Sequence, residues 1–418
     1  MLNERIELQE CLELDARDPL QDFRSKFALA ETGAIHFDAN SMGAMPKEVP
    51  QRVAWMLNEG WRNLGRQGWA KLDWLDKPKM LGAGIAHLVG SEPEDLIVCD
   101  NTSINLYKLL SYAWGIRQSG HVLLTESKHF PTDIYIAEGW IKTLKEYGVD
   151  AEIKFADSHQ QLLDSLNKDV AVVNVSYVDY RTSLRWDMAN LMNKAKEVGA
   201  LVVWDISHAA GAVKVDLMGN EADFAVGCGY KYLCGGPGAP AYLFIHPKHQ
   251  NKKWPSIAGW MGHFDVFAFA DRYQPNPRII SQTTGSPVII SNEIFAAAVD
   301  VWKKVSVEEM DSKHESLTSL FHHLILQECG SLGADMTSPA THTNAGGHVS
   351  IRHQGAGPVS EALLEHGVVS SFRKPDSIRF GISPLYHSHQ DIWNGIQRLR
   401  KVLSDEIWKE ERFQKVSV

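Results

Sequence analysis

Cysteine is scarce in this chain, and long apolar runs are missing. The five cysteines (Cys11, Cys99, Cys228, Cys234 and Cys329) are an odd number at irregular spacing. No disulfide framework is expected, and free thiols in a reducing cytoplasm are the simplest account. No apolar run approaches the roughly 18 residues of a membrane span. Met1 to Asp18 is acidic and lacks an apolar segment, so no signal peptide is expected. Basic charge is also in deficit. The 42 Lys and Arg against 51 Asp and Glu leave a net charge of −9, which argues against nucleic acid as the main partner. Internal repeats and low-complexity tracts are absent. So are GxGxxG, GxSxG and HExxH, the signatures of dinucleotide binding, α/β-hydrolases and zincins. Histidines are plentiful but stand at no ligand spacing, so no metal site is expected.

What remains is a composition of ordinary globular type, 44% apolar and 22% charged. A length of 418 residues predicts two domains, or one large and one small. The stretch from Leu201 to Ala239 organises them. Two apolar runs, Leu201 to Trp204 and Ala222 to Val226, each stop at polar residues and glycine, the pattern of buried strands in an α/β sheet. Asp205 stands at the end of the first run. Lys231 follows the second, flanked by Tyr230 and Tyr232. Ligands of open α/β sheets bind outside the carboxyl ends of the strands. A carboxylate and an amine delivered to that edge match the needs of pyridoxal phosphate, which takes a lysine as Schiff base and an acid against its pyridinium nitrogen. Each residue alone reads equally as a turn residue or a solvated charge. Asp205, Ser207 and His208 do not make a hydrolase triad, because one strand end cannot easily aim three residues into a relay.

Further strands are predicted at Ile35–Asp38, Leu96–Cys99, Val122–Leu124, Val170–Val175 and Ala241–Ile245, with Ser176 closing the fourth. Residues 1–34 are expected to form a helical arm, and Met188–Val198 a helix stopped by Gly199. Strands alternating with helices mean a mostly parallel sheet covered on both faces. Thr102 and Ser103 open a helix after a strand. They read either as caps or as a phosphate seat at a positive helix end. Trp55, Trp61, Trp69 and Trp74 are expected mainly in core or interface packing. Pro255 to Pro287 shows no periodicity and is expected to be an irregular, functional segment. Beyond it, helices are predicted at Asn292–Val305, Leu317–Cys329, Ser360–His366 and Asp391–Trp408, with strands at His348–Arg352 and Ile378–Phe380. Together these make a smaller α+β domain. Arg379, in the last strand, reads either as a two-pronged grip on a carboxylate or as a salt bridge.

With these residues placed, the chain resembles kynureninase, a fold-type I pyridoxal-phosphate enzyme of the class V aminotransferase superfamily. The resemblance runs from about Ile35 to about Leu403. It is carried by Asn40-Ser41-Met42-Gly43, Thr102-Ser103-Ile104-Asn105-Leu106, Phe130-Pro131-Thr132-Asp133, Asp205-Ile206-Ser207-His208, Tyr230-Lys231-Tyr232-Leu233, Gly259-Trp260-Met261-Gly262-His263, and Ile378-Arg379-Phe380 with Pro384-Leu385-Tyr386. It implies an α/β fold with a mostly parallel seven-stranded sheet and a smaller α+β domain. Residues 1–50 would be an arm contributing to the small domain, residues 51–300 the cofactor-binding domain, and residues 301–418 the small domain. It also implies a cytoplasmic homodimer that hydrolyses L-kynurenine to anthranilate and L-alanine.

The resemblance assigns roles as well. Lys231 would carry the cofactor and Asp205 would pair with its ring nitrogen, with His208 close by. Phe130 would stack on the ring, beside Asp133 and Ser176. Thr102, Ser103 and Tyr230 would hold the phosphate, Tyr230 doubling as an acid. Trp260 and Gly285 would come from the neighbouring subunit. Arg379 would bind the substrate carboxylate, and Ser41 and Trp69 would face the substrate. Departures from the family pattern at Asp179, Thr182-Ser183, Met261, Gly285 and Ser371 fall nearer substrate than cofactor. Trp69 leans toward kynurenine over its 3-hydroxy form. The alternative is a class V relative that carries out β-elimination, desulfuration or transamination on another amino acid.

Overall fold

The computed structural model describes residues 5–414; the outermost ends of the expected arm and last domain, residues 1–4 and 415–418, lie outside the described residues. Seven short apolar runs build one sheet: β1 Leu96–Val98, β2 Val122–Glu126, β3 Glu152–Ala156, β4 Val170–Ser176, β5 Leu201–Asp205, β6 Phe224–Cys228 and β7 Ala241–Ile245. Their order across the sheet is β1-β7-β6-β5-β4-β2-β3. All neighbours pair in parallel except β7, which is antiparallel to both β6 and β1. Every residue of β4 is buried, and four of its seven are valine, as a strand covered on both faces requires. β3 has no counterpart in the sequence reading. It is an edge strand with half-buried Glu152 and Ile153 and exposed Lys154 and Phe155, so no apolar run marks it.

Helices α2 (Thr102–Ile116), α3 (Pro131–Glu146) and α4 (Met188–Val198) follow α1 (Leu8–Ala16) of the N-terminal arm. α4 has the bounds its pattern predicts. Asp187 accepts from the Asn190 amide at its start, and Gly199 at φ 78° ends it. The arm is less helical than expected. Pro19 interrupts it, a short 3₁₀ stretch covers Gln21–Lys26, and Ile35–His36 then pairs in parallel with Val368–Val369. That partner is supplied by tertiary structure and leaves no local trace. Two buried clusters pack the opposite faces of the large sheet.

The C-terminal layer is a four-stranded antiparallel sheet of β8 Asp335–Met336, β9 His348–Arg352, β10 Ser371–Arg373 and β11 Ser377–Gly381, in the order β8-β9-β11-β10. Its helices are α5 Ile289–Trp302, α6 Val307–Glu328, α7 Ala356–Glu365 and α8 His389–Ser404. α5 and α7 begin about a turn earlier than predicted, and α8 stops at Ser404. α6 starts ten residues before the predicted Leu317 because Ser306 caps it, accepting from the Glu309 amide. Its first half buries Lys313 and His314, which a search for apolar periodicity passes over. A third core cluster lies beneath this layer. Among the described residues, no helix is long and apolar enough to cross a membrane.

One ion pair ties the arm to α6. Lys313 Nζ lies 2.6 Å from Asp18 Oδ2, with both side chains almost fully buried. Asp18→Ala leaves a buried ammonium without its partner and should cost about 3 kcal/mol of unfolding free energy, measured by denaturant titration. A loss below about 1 kcal/mol, the value of an exposed pair, would show that water replaces the carboxylate.

Candidate active site

Three strand ends define the site. Ser176 closes β4 opposite Asp205, which closes β5, and β6 runs on past Val226, the partner of Asp205. Asp205 is buried. Its Oδ1 accepts from the Ser207 amide at 2.7 Å, which holds the carboxylate where the strand stops. The Ser207 hydroxyl accepts from the Cys228 amide at 3.1 Å and so ties the ends of β5 and β6 together. The Ser176 hydroxyl donates to Val178 O at 2.8 Å.

Lys231 comes from the connection between β6 and β7. Because β7 returns antiparallel, this connection crosses no sheet face and folds over the strand ends. Gly235 donates to Gly229 O at 2.8 Å, and Cys234 donates to Lys231 O at 2.9 Å. The Asn40–Gly43 turn presses on it from the other side. The Gly43 amide donates to Tyr230 O at 2.9 Å. A Cβ on Gly43 would lie 2.2 Å from Lys231 O, so only glycine fits there. Lys231 Nζ ends 2.9 Å from His208 Nε2. Burial, followed by the charge of Lys231, holds His208 well below the usual imidazole range. The ring is therefore neutral, accepts at Nε2 and keeps its proton on Nδ1, which has no partner.

Asp133 lies in the first turn of α3 and is buried. Burial raises its carboxyl from 3.8 to about 7; Asp205 adds to the rise, while His129 and Lys231 oppose it. His129 Nδ1 accepts from the Phe130 amide at 2.7 Å and stands 3.6 Å from Asp133 Oδ2. Phe130 exposes part of its ring and meets Tyr180 edge-on at 5.2 Å. Tyr230 keeps its phenol proton, because Cys228 beside it and then burial raise its pKa above the ordinary value.

Asn101 caps α2 by accepting from the Ile104 amide at 3.0 Å. Thr102 and Ser103 therefore occupy its first two positions, whose amides a helix leaves without internal partners. The side-chain cap is Asn101 rather than Thr102 or Ser103, and a helix start of this kind is a positive end that suits an anion. Behind it, the buried Lys108 pairs with Asp100 and donates to Gln282 O at 2.6 Å.

Arg379 on β11 is buried rather than an exposed salt bridge. Its Nε donates to Ser371 Oγ at 3.1 Å, its Nη1 to Tyr180 O at 2.7 Å and its Nη2 to Ser41 Oγ at 3.4 Å. Burial, then Arg373, lowers its pKa to about 10, and it remains charged. All three of these acceptors are neutral, so the guanidinium suits a carboxylate ligand.

Trp69, Trp260 and Gly285 gather in another patch. Trp69 meets Trp260 at 5.9 Å and Trp74 at 6.0 Å, both edge-on. Gly259 packs against the Thr284 backbone, and Gly285 beyond it is exposed with open space at its Cβ. His129, Tyr180 and Lys108 were missed by the sequence reading. His129 carried one signal, a position four residues before Asp133 at a helix start. Tyr180 contributes its carbonyl to Arg379, which no side-chain pattern encodes. A separate cavity of about 850 Å³, lined by Asn193, Lys196, Glu221 and Lys248 among others, contains none of these residues.

The described residues fit pyridoxal phosphate: an amine against a neutral imidazole, a buried carboxylate whose only hydrogen bond among the described residues is at Oδ1, and an open helix end for a phosphate. The fold is that of the class V, fold-type I pyridoxal-phosphate enzymes. It superimposes with a TM-score of 0.75 on a cysteine desulfurase from Thermococcus onnurineus NA1, at 18% identity over 93% of this chain and 99% of that one. The TM-score is 0.76, at 16% identity over 90% and 98%, for a variant of C-DES with glycine covalently linked to its PLP cofactor. Sequence narrows the class. The chain is 36% identical to the kynureninase of Pseudomonas fluorescens over 97% of both chains, and 35% identical to that of Burkholderia mallei over the same shares. The profile of the kynureninase C-terminal domain matches residues 310–399. The chain belongs to the kynureninase family.

The raised Asp133 carboxyl makes stability depend on pH. The folded protein holds this proton where the unfolded chain has lost it, so the contribution is present below about pH 4 and disappears as pH rises to about 7. Cofactor-free wild type should therefore lose more unfolding free energy than Asp133→Asn between about pH 5 and about pH 8. Equal losses in denaturant titrations would mean that the carboxyl is ionised throughout.

Proposed function

We propose that this chain is a pyridoxal-5′-phosphate-dependent hydrolase that cleaves L-kynurenine, or a ring-substituted kynurenine, to anthranilate and L-alanine. The observation that carries the reading is the Lys231 amine held 2.9 Å from the neutral His208 at the strand end occupied by Asp205. Near-full-length identity to kynureninases supports the substrate.

When bound, the cofactor supplies an electron sink for the pair left by the Cα proton and later by the Cβ–Cγ bond. Lys231 would hold it, Thr102, Ser103 and Tyr230 would anchor its phosphate, and Phe130 would cover its ring, with Asp133, Ser176 and His208 alongside. Asp205 keeps a proton at the ring nitrogen by charge pairing. Arg379 and Ser41 orient the substrate carboxylate. The Lys231 amine takes the Cα proton as general base, and His208 can relieve it of that proton. Water adds to the γ-carbonyl, the Cβ–Cγ bond breaks, and the Tyr230 phenol donates a proton during the sequence. Trp69, Trp260 and Gly285 belong to one patch, so the three are delivered together across a homodimer interface to face the substrate ring. The exposed Trp55, Trp61, Val288 and Ile290 favour such an interface. The same reading assigns residues 51–300 to the cofactor-binding unit, and 1–50 with 301–418 to the smaller one, in a cytoplasmic enzyme.

A substrate panel followed by anthranilate fluorescence tests the reading. Kynurenine should be cleaved in preference to 3-hydroxykynurenine; release of sulfide, pyruvate or a keto acid from other amino acids, without anthranilate, would replace it. Lys231→Ala should abolish turnover. Arg379→Ala should raise KM roughly ten- to hundredfold, the equivalent of about 1.5–3 kcal/mol for hydrogen bonds to a charged group. An unchanged KM removes Arg379 from the substrate.

A further inference from the structure

A row of histidines runs from Lys231 to the surface. His208 accepts from the Lys231 amine. The ring of His348, the first residue of β9, lies 5.7 Å from that of His208. His314 on α6 lies against the backbone carbonyl of Gly347, the residue before His348. The rings of His314 and His342 are 6.2 Å apart. His342 Nε2 stands 3.2 Å from Asp311 Oδ2, where the row meets solvent with side chains 11% and 24% exposed. His208, His348 and His314 are buried.

This row is polar and sparsely paired. His208 Nδ1 and both nitrogens of His348, His314 and His342 make no hydrogen bond of good geometry, although the Arg181 and Gly347 carbonyls lie near His348 and His314. Buried polar atoms are nearly always satisfied, by water where protein offers nothing, and a gap beyond hydrogen-bond reach is what one water spans. Apolar side chains would fill the same volume without a desolvation penalty. The charged groups facing the row are Lys231, Arg379 and Arg373 at its inner end, and Arg185 and Asp311 at its outer end. Beyond Lys231 the inner end also faces the Asp133 carboxyl, itself beside Asp205, and Asp38 lies near Arg379; Asp311 stands at the mouth. Burial and these cations keep His208, His348 and His314 neutral, His314 at about 4. A neutral imidazole has one N–H and one lone pair, so it can take a proton on one side and release another from the opposite side.

We propose that His208, His348, His314 and His342 form a water-bridged proton conduit between the Lys231 amine and Asp311 at the surface. It rests on the hydrolytic reading above. Kynurenine and water, uncharged overall, give alanine, uncharged overall, and anthranilate, a carboxylate, so each turnover releases one proton. Three protons come free, one from Cα and two from the added water; two return, to Cα and Cβ of alanine, and the third leaves Lys231 for His208 Nε2. Each ring passes its own proton outward, and Asp311 hands one to solvent. The tautomers reset by ring rotation or a returning proton, and no electron changes hands.

Stopped-flow measurements on the holoenzyme test the conduit. Anthranilate fluorescence reports bond cleavage, and an indicator dye in weak buffer reports proton release. The two should coincide in wild type. In His314→Gln, proton release should lag by at least about tenfold, and added imidazole should restore it. His342→Asn, at the exposed mouth, should behave alike and decides the matter if His314→Gln does not fold. Coincident traces, or equal slowing of both without imidazole rescue, overturn the conduit. A substrate-free readout separates this from the functional reading: after a pH jump, the relaxation of cofactor absorbance should slow in the same variants. Unchanged relaxation overturns the conduit whatever the substrate, whereas absence of anthranilate with slowed relaxation overturns only the assigned reaction.

Discussion

A lysine amine is held against a neutral imidazole where three buried strands end, and the surrounding structure serves that contact. An ammonium in apolar surroundings is costly unless something accepts its protons. His208 accepts one and offers no charge of its own. Were His208 cationic, the two groups would repel; burial and the neighbouring arginines prevent that. The contact depends in turn on backbone. The β6–β7 connection bends over the sheet only because β7 returns antiparallel, and it is clamped by the Gly43 amide from a turn nearly 190 residues earlier in the chain.

The carboxylates around this amine are differentiated by environment. Asp205 accepts an amide hydrogen bond at its strand end, whereas Asp133 is held by burial above the usual carboxylate range. Asp133 is thereby a carboxyl that titrates near neutrality, raised by burial and then by the nearby Asp205. Arg379 follows the same logic. It donates to three neutral acceptors, with the Asp38 carboxyl nearby, and stays charged.

The two layers meet at these groups. His208 belongs to the large sheet, whereas His348, His314 and Arg379 belong to the C-terminal layer. The site is therefore a property of the packing between layers, and the arm contributes Asn40–Gly43 to the same junction. Substitutions that loosen the junction alter the electrostatics of the amine without touching it.

Much of this was legible in the residues alone. Apolar runs that stop at Asp205 and before Lys231 place both groups at one sheet edge, because parallel strands all end on the same side. The capped start of α2 and the bounds of α4 are local chemistry, and the sequence states them directly. β3 was invisible because an edge strand needs no apolar run. The first half of α6 was missed because Lys313 and His314 are buried by pairing and packing rather than by being apolar. The contact between Trp69 and Trp260, the Tyr180 carbonyl on Arg379 and the row of histidines lie further still from any local pattern. They join segments far apart in the chain, and only the folded arrangement brings them within reach. Sequence determined which chemistry reaches the edge of the sheet, because strand ends and caps are set by neighbouring residues. Tertiary structure alone decided which of those groups are buried together, and hence which are charged, because burial and pairing are properties of the assembled layers.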